Sequence, residues 1–550
     1  MRLSLSSPHP LRASVVLVSL ACAASCTPQQ IYIDKPCPPV EYPVINAPAT
    51  TPPPSAAATP RTLEIRLTPV RNEGRSVIAV DVAMRFSVPP VDFGDADPIV
   101  LRLDPHVAGA ATGDRIDDLE ARDSEGSLAL RRSTDVDSGK PARAAWKSER
   151  RARGPVTVSY RVQLLAEDAA RDEVLATAGG VFAIGRALFL MPATTEPHTI
   201  HALWDLAALD PGAEGTSSFG LGEADVEGPP SILEQTIWMA GPIEEMAIRS
   251  PATNSAEGGQ FRLITLGKGN WDVTEVGPWT NRAWLSVRTV ATQTNDFGLF
   301  VRPTGKTGSR FDLDVFGRSV IATTDNEVKF TWPEKLRLTE AMVRAARGSN
   351  VMKQRWFDNG FGTYLALDGL RKMGLAAPAD IAAELTKRSE RYFAAPWLRT
   401  PLASVMDQKD EPAGLHIEDR GFFAAAEIDA KLRLASAGKK SLFDFVRALE
   451  PAAPAATDTT DVPKMNGVST TAFAQALEKE LGAEAMTRHR NLVETGSAIA
   501  YVPDDTFGPC FKKAKKKIQR EDSATKKRES VDGFTFSVVP KLPPHCANVV

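Results

Sequence analysis

The sequence predicts an α+β multidomain protein, in which an N-terminal antiparallel β-sandwich precedes a domain that is mainly helical in its second half. Three observations carry this. Between Thr62 and Ala193, segments such as TLEIRLTPV, SVIAVDVAMRFSV, VTVSYRVQLL and ALFLMPA alternate with period two, are rich in Val and Ile, and are divided by Gly, Pro and Asp turns. That is the pattern of half-buried antiparallel strands. A second strand-rich stretch, residues 194–335, contains IEEMAIRS, GGQFRLITLGKG, WLSVRTVA and NDFGLFVRP. From Leu336 to Glu494 the period becomes helical, and the order strands, strands, helices argues against a doubly wound sheet.

The first residues stand outside this fold. Arg2 and Arg12 precede the apolar run ASVVLVSLACAA, which has the length of a signal h-region and is shorter than the roughly 20 residues of a bilayer-spanning helix. The run ends in AASC, and this resembles the lipobox of bacterial lipoproteins, with Cys26 as the lipidated residue. Residues 1–25 are then the signal peptide; an ordinary secretory cleavage site and use of Cys22 are the alternatives. Acylation would anchor the chain to the membrane, at about 0.8 kcal/mol per buried methylene. Residues 26–61, including KPCPPVEYPVINAPATTPPPSAAATP, form an extended Pro-rich linker. The expected location is the cell envelope, at the outer membrane facing the periplasm or the surface. There Cys510 and Cys546 are the expected disulfide, with Cys37 able to replace either.

In the helical stretch, Gly374, Gly438, Gly482 and Gly496 fall where C-terminal caps are expected, and Ser441 with Asp444 forms a capping-box pattern. Trp356, Phe357, Phe361 and Tyr364 read as core. Residues 501–550 are a basic, Cys-containing tail, with nine Lys and Arg between Lys512 and Arg528. That run reads as a solvated helix or loop, or as a surface for an anionic envelope polymer. The net charge of -3 supplies no global field for nucleic acid.

The runs QRWFDNGFGTYLALDGLRKMGL, RGFFAAAEIDAKLRLASAGKKSLFDFVRALE and TTAFAQALEKELGAEAM resemble the catalytic half of the glycyl aminopeptidase family of gluzincin metallopeptidases. Trp356, Gly360, Phe361, Tyr364, Gly421, Asp429, Arg433, Gly438, Lys439, Ser441 and Leu442 fit the family wording, whereas Gly362 replaces its threonine. The resemblance covers about residues 150 to 500. It implies a gluzincin-like fold after the β domain, with residues 194–335 as its strand-rich part and 336–500 as its helical part.

The resemblance also implies a zinc site, and here the chain departs from it. The family needs His-Glu-x-x-His on one helix and a carboxylate from a second. The matching register is Thr339-Glu340-Ala341-Met342-Val343, with Asn359 at the third ligand position. Only Glu340 survives. No histidine lies between His201 and His416, so no other register restores the motif. The expectation is a pseudoenzyme without zinc or other cofactor, binding a peptide or envelope protein. The alternative is an active metallopeptidase or other hydrolase with an improvised site built from Glu340, Asp358, His416, Glu418 and Asp419. A purely structural envelope role is a third possibility. His198 and His201 lie in a strand-like segment, where residues three apart face opposite sides.

Overall fold

The computed structural model describes residues 61–87, 99–103, 112–135, 143–165, 174–177, 179–249, 260–269, 271–290, 296–347, 354–449, 470–504, 506–521 and 527–543. The expected signal peptide, the linker, Cys22, Cys26, Cys37 and Cys546 lie outside them. Among the described residues no helix is long and apolar enough to cross a membrane.

Alternation in TLEIRLTPV buries Leu63, Ile65 and Leu67 on one face of strand Thr62–Arg71, and the same rule shapes its neighbours. The resulting seven-stranded sheet runs in the order Ala224–Gly228, His198–Trp204, Thr62–Arg71, Val77–Ser87, Pro155–Gln163, Ile116–Asp123 and Gly126–Ser127. All its pairings are antiparallel except that of Thr62–Arg71 with His198–Trp204. The sheet therefore continues past residue 193. Two smaller antiparallel sheets accompany it, and strand Gly180–Ile184 pairs with Ile237–Gly241. The segment ALFLMPA is not a full strand: a short turn of helix, α1 (Gly185–Leu188), leads into a two-residue strand at Met191–Pro192.

A five-stranded mixed sheet follows, in the order Ile243–Arg249, Gln260–Leu266, Phe297–Pro303, Ser319–Thr324 and Phe311–Phe316. Its three inner strands are parallel and its edges antiparallel. Phe297–Pro303 and Ser319–Thr324 are buried along their whole length, as strands covered on both faces must be. One face meets Phe182, Ile184, Ile237 and Met239 of the preceding β region through Ile264, Leu266, Phe300 and Ile321. The other lies under helices.

The first of these helices corrects the strand expected at WLSVRTVA. Helix α2 (Val273–Val287) ends in the first half of that segment and a 3-10 turn (Arg288–Val290) follows; Asp272 caps the helix by accepting from the Thr274 amide. Its buried positions Val276, Thr280, Ala283, Trp284 and Val287 keep helical spacing, which the local alternation of WLSVRTV hides. Then come α3 (Trp332–Arg347), a six-residue π-helical turn (Trp356–Phe361), α4 (Gly362–Lys372), α5 (Pro378–Ala394), α6 (Leu402–Met406), α7 (Glu411–Ala435), α8 (Leu442–Ala448) and α9 (Thr470–Val493). Gly374, Gly438, Gly482 and Gly496 all adopt positive φ, the conformation that a helix end requires and glycine supplies cheaply. Gly482 breaks α9 internally, so the two expected segments remain two helices across a kink.

In its described part the basic run is strand rather than helix or loop. Phe511–Glu521 pairs with Arg528–Val538 as a hairpin laid on α5. Thr386 Oγ1 and Ser389 Oγ of α5 accept from the Phe536 and Phe534 amides at 2.8 and 3.1 Å. Ile518 and Arg520 point inward, while Lys512, Lys515, Lys516 and Lys517 stay exposed. The apolar half of the hairpin comes from its second strand, which supplies Val531, Phe534 and Phe536. Cys510 is disulfide-bonded, and its expected partner Cys546 lies outside the described residues.

Candidate functional site

The site begins where α7 crosses the π-helical turn. A Cβ on Gly421 would come within 1.8 Å of the Trp356 carbonyl oxygen, and one on Gly360 within 2.6 Å of that of Glu418. Only two glycines allow backbones to meet this closely. The crossing brings Asn359, on the widened turn, to the start of α7, where its amide donates to Glu418 Oε1 at 2.7 Å. Arg355 Nε donates to the same oxygen at 2.7 Å.

Glu340, on α3, faces this junction. Its Oε1 accepts from Thr363 Oγ1 of α4 at 2.7 Å and stands 3.5 Å from a terminal nitrogen of Arg388 on α5. Arg388 is buried and nearly surrounded by acceptors: its Nε donates to Glu384 at 2.8 Å and its other terminal nitrogen to Asp419 at 3.2 Å. Its guanidinium also lies 5.2 Å from the Phe422 ring centre, a cation-π contact. Asp419 has no exposed side-chain surface and is gripped further by Arg391, at 2.5 and 2.6 Å. Burial pushes the Glu340 carboxyl above its usual range, against the pull of Arg388 and Thr363. The same cause raises Asp419, opposed by Arg391 and Arg388.

These contacts decide whether zinc fits. Thr339 is fully buried and its hydroxyl donates to the Lys335 carbonyl at 2.8 Å. Val343 is fully buried hydrocarbon. Asn359 is a neutral amide engaged with Glu418, and the Glu340 oxygen that faces Arg388 is taken by Thr363. The donor set is wrong for zinc in type and in availability, and a guanidinium sits among the carboxylates where a second cation would be repelled. The residues at the positions implied by the resemblance do not fit the metal.

The five residues of the improvised alternative are not brought to one point. Asp358 faces Arg347 at 3.4 Å. His416 is stacked on Tyr392 with ring centres 5.4 Å apart, its Nε2 3.0 Å from a terminal nitrogen of Arg420. Burial, reinforced by the adjacent Arg420 charge, holds its pKa down to about 3. Among the described residues no three His, Cys, Asp or Glu side chains gather closely enough to share a metal ion. His198 is buried and His201 exposed on opposite faces of their strand, as expected, and His201 Nδ1 meets Asp225 at 2.5 Å.

Arg388, Arg391, Glu384 and Thr363 were not singled out from the sequence. The spacing Glu384 to Arg388 is a helical i,i+4 pair and was legible as such; the partners on α3 and α7 were not.

The motif residues that carried the resemblance form a different assembly. Asp429 of α7 accepts from the Tyr364 hydroxyl at 2.5 Å, from the Leu442 amide at 2.7 Å and from Arg433 at 2.7 Å. It thereby pins α4 and the start of α8 to α7. Asp444 accepts from the Ser441 amide and hydroxyl, both at 2.9 Å, completing the capping arrangement.

No protein-family profile and no curated protein sequence matches the chain. Among solved structures, it is similar to an aminopeptidase N family protein from Idiomarina loihiensis, with 14% identity and a TM-score of 0.60 over 83% of this chain and 79% of that one. An M1 zinc metallopeptidase from Deinococcus radiodurans shares 16% identity over 81% of this chain and 97% of that one, at a TM-score of 0.47. The first of these similarities shows the fold. The structural neighbours are M1 aminopeptidase N family zinc metallopeptidases.

Proposed function

We propose that this chain keeps the fold of its M1 metallopeptidase neighbours as a non-catalytic envelope lipoprotein, anchored through Cys26, that binds a peptide or protein partner. One observation supports this above the rest: the single surviving catalytic-type residue, Glu340, is committed to Thr363 and to the charge of Arg388. Glu340, Glu384 and Asp419 surround a side-chain cation that remains charged at any physiological pH. The Pro-rich linker holds the body off the membrane. The exposed lysines of the hairpin offer a face for an anionic envelope polymer.

The alternative is a hydrolase using altered chemistry, motivated by Glu340, whose side chain remains 24% exposed. Metal content separates the two. After loading with zinc and dialysis, the purified protein should retain close to none, a Glu340→Ala variant should retain the same amount, and neither should release N-terminal residues from peptides. Stoichiometric zinc that falls in Glu340→Ala, together with peptide turnover, would overturn the proposal.

A further inference from the structure

A second site lies away from the Arg388 junction and shares no residue with it. It is a cleft of about 350 Å³ between the sheet that carries Gly220–Leu221 and the starts of the parallel strands Gln260–Leu266, Phe297–Pro303 and Ser319–Thr324. That is within the size range of small-ligand sites. Its walls include Phe219, Ile232 and Phe316, and its polar groups include Arg262, Asp296 and Arg318. Phe219 is 38% exposed, an unusual place for a phenylalanine, and its neighbour Leu221 is 47% exposed.

The polar groups are arranged unequally. Arg262 is only 7% exposed and is fixed in place. Its Nε and one terminal nitrogen donate to Glu245, that same terminal nitrogen donates to Thr216 Oγ1, and the other donates to the Ser217 carbonyl at 2.9 Å. A guanidinium has five N–H groups, so one on the nitrogen bonded to Ser217 is left over. Arg318, on the tight turn after Gly317, is exposed and makes no hydrogen bond or ion pair among the described residues. Asp296 accepts from the Gln260 amide at 2.8 Å and keeps its second oxygen for another donor.

We infer that this cleft binds the carboxyl-terminal end of a peptide whose last side chain is apolar. The carboxylate pairs with Arg318 and with the spare Arg262 N–H, the terminal side chain enters between Phe219, Ile232 and Phe316, and a peptide amide donates to Asp296. Asp296 is what favours a peptide over a simple apolar acid: it repels a second anion and rewards an N–H donor. The inference rests on the reading of the chain as a peptide or protein binder and supplies its site and ligand class.

Calorimetric titration of the full chain with the tripeptide Ala-Ala-Phe tests it, set beside its C-terminal amide, 3-phenylpropionate and an Arg318→Ala variant. The expected result is saturable binding of the free acid, weaker by about tenfold for the amide and for Arg318→Ala, the scale of one charge-assisted contact. Phenylpropionate should bind more weakly than the tripeptide. No saturable binding of Ala-Ala-Phe, equal binding of acid and amide, or indifference to Arg318→Ala each overturns the assignment. Tighter binding of phenylpropionate than of the tripeptide also overturns it, by identifying a small apolar acid as the ligand. Failure here with zinc-free, inactive protein leaves the non-catalytic reading intact and removes only this cleft.

Discussion

Two junctions in the helical half are built from similar materials and have fared differently. At Asp429, one buried carboxylate organises α4, α7 and α8, and its partners Tyr364, Arg433 and Leu442 are the residues that matched a known family wording. At Arg388, one buried cation organises α3, α5 and α7, and of its partners Glu340, Glu384 and Asp419 only Glu340 belongs to the implied zinc motif. The first junction depends on shape: a tyrosine hydroxyl, a helix amide and a guanidinium must converge on one oxygen pair. The second depends on charge balance, which other residues can supply. Packing geometry holds a sequence more tightly than charge does, because an electrostatic sum has many solutions.

The comparison can be broken most directly at its centre. Replacing Arg388 by methionine keeps much of the volume but leaves Asp419, Glu384 and Glu340 without their shared counter-ion. Removing one side of a buried pair costs about 3–5 kcal/mol, so urea unfolding should show a loss of that size. A loss below about 1 kcal/mol would mean that Arg391 and Thr363 hold the carboxylates without Arg388.

Acid sharpens the contrast by acting on histidines that neither junction uses. His416, on Tyr392, and His489, between Trp356 and Phe473, are both buried and held down to about 3, by burial first in each case. The unfolded chain takes up their protons near pH 6.5 while the folded chain refuses them. Stability is therefore greatest above pH 6.5 and falls as the pH drops toward 3. Each histidine accounts for about 2 kcal/mol between pH 6.5 and 5, which unfolding curves at those two pH values would reveal. A His489→Gln variant with the same slope as the parent would exclude His489 as a contributor.

The smallest effect belongs to the shape-dependent junction. Tyr364→Phe removes one hydroxyl donor to Asp429 and leaves Arg433 and the Leu442 amide in place. The expected cost is about 2 kcal/mol, the scale of a buried hydrogen bond to a charged group. A cost below about 0.5 kcal/mol would mean that Arg433 and the Leu442 amide hold Asp429 without the hydroxyl, and that the convergence described here is not required.

Legibility in the sequence follows the range of the interactions. Alternation along Thr62–Arg71, helical spacing after Leu336 and the positive-φ glycines are local, and each appears in the fold. Helix α2 was hidden because its last four residues, Trp284 to Val287, run on into Arg288–Val290 in a stretch that mimics strand alternation. The basic strand Phe511–Glu521 was hidden because between Lys512 and Glu521 only Ile518 and Arg520 are buried, and the rest of the apolar contact comes from Val531, Phe534, Phe536 and α5. The missing zinc donors were legible as residue types. The cation among the carboxylates was not, since Glu340, Arg388 and Asp419 meet from three helices and no spacing within one of them announces the contact.

The parallel pairing of Thr62–Arg71 with His198–Trp204 also sets an order of events during folding. Thr62–Arg71 and Val77–Ser87 can zip into a hairpin as soon as both exist, on the microsecond scale of such local contacts. The other flank of Thr62–Arg71 must wait for a strand more than a hundred residues downstream, and a contact of that separation carries a large loop-closure cost. During that wait the nascent sheet presents a bare row of amides and carbonyls built on an apolar strand, which is a template for wrong pairing.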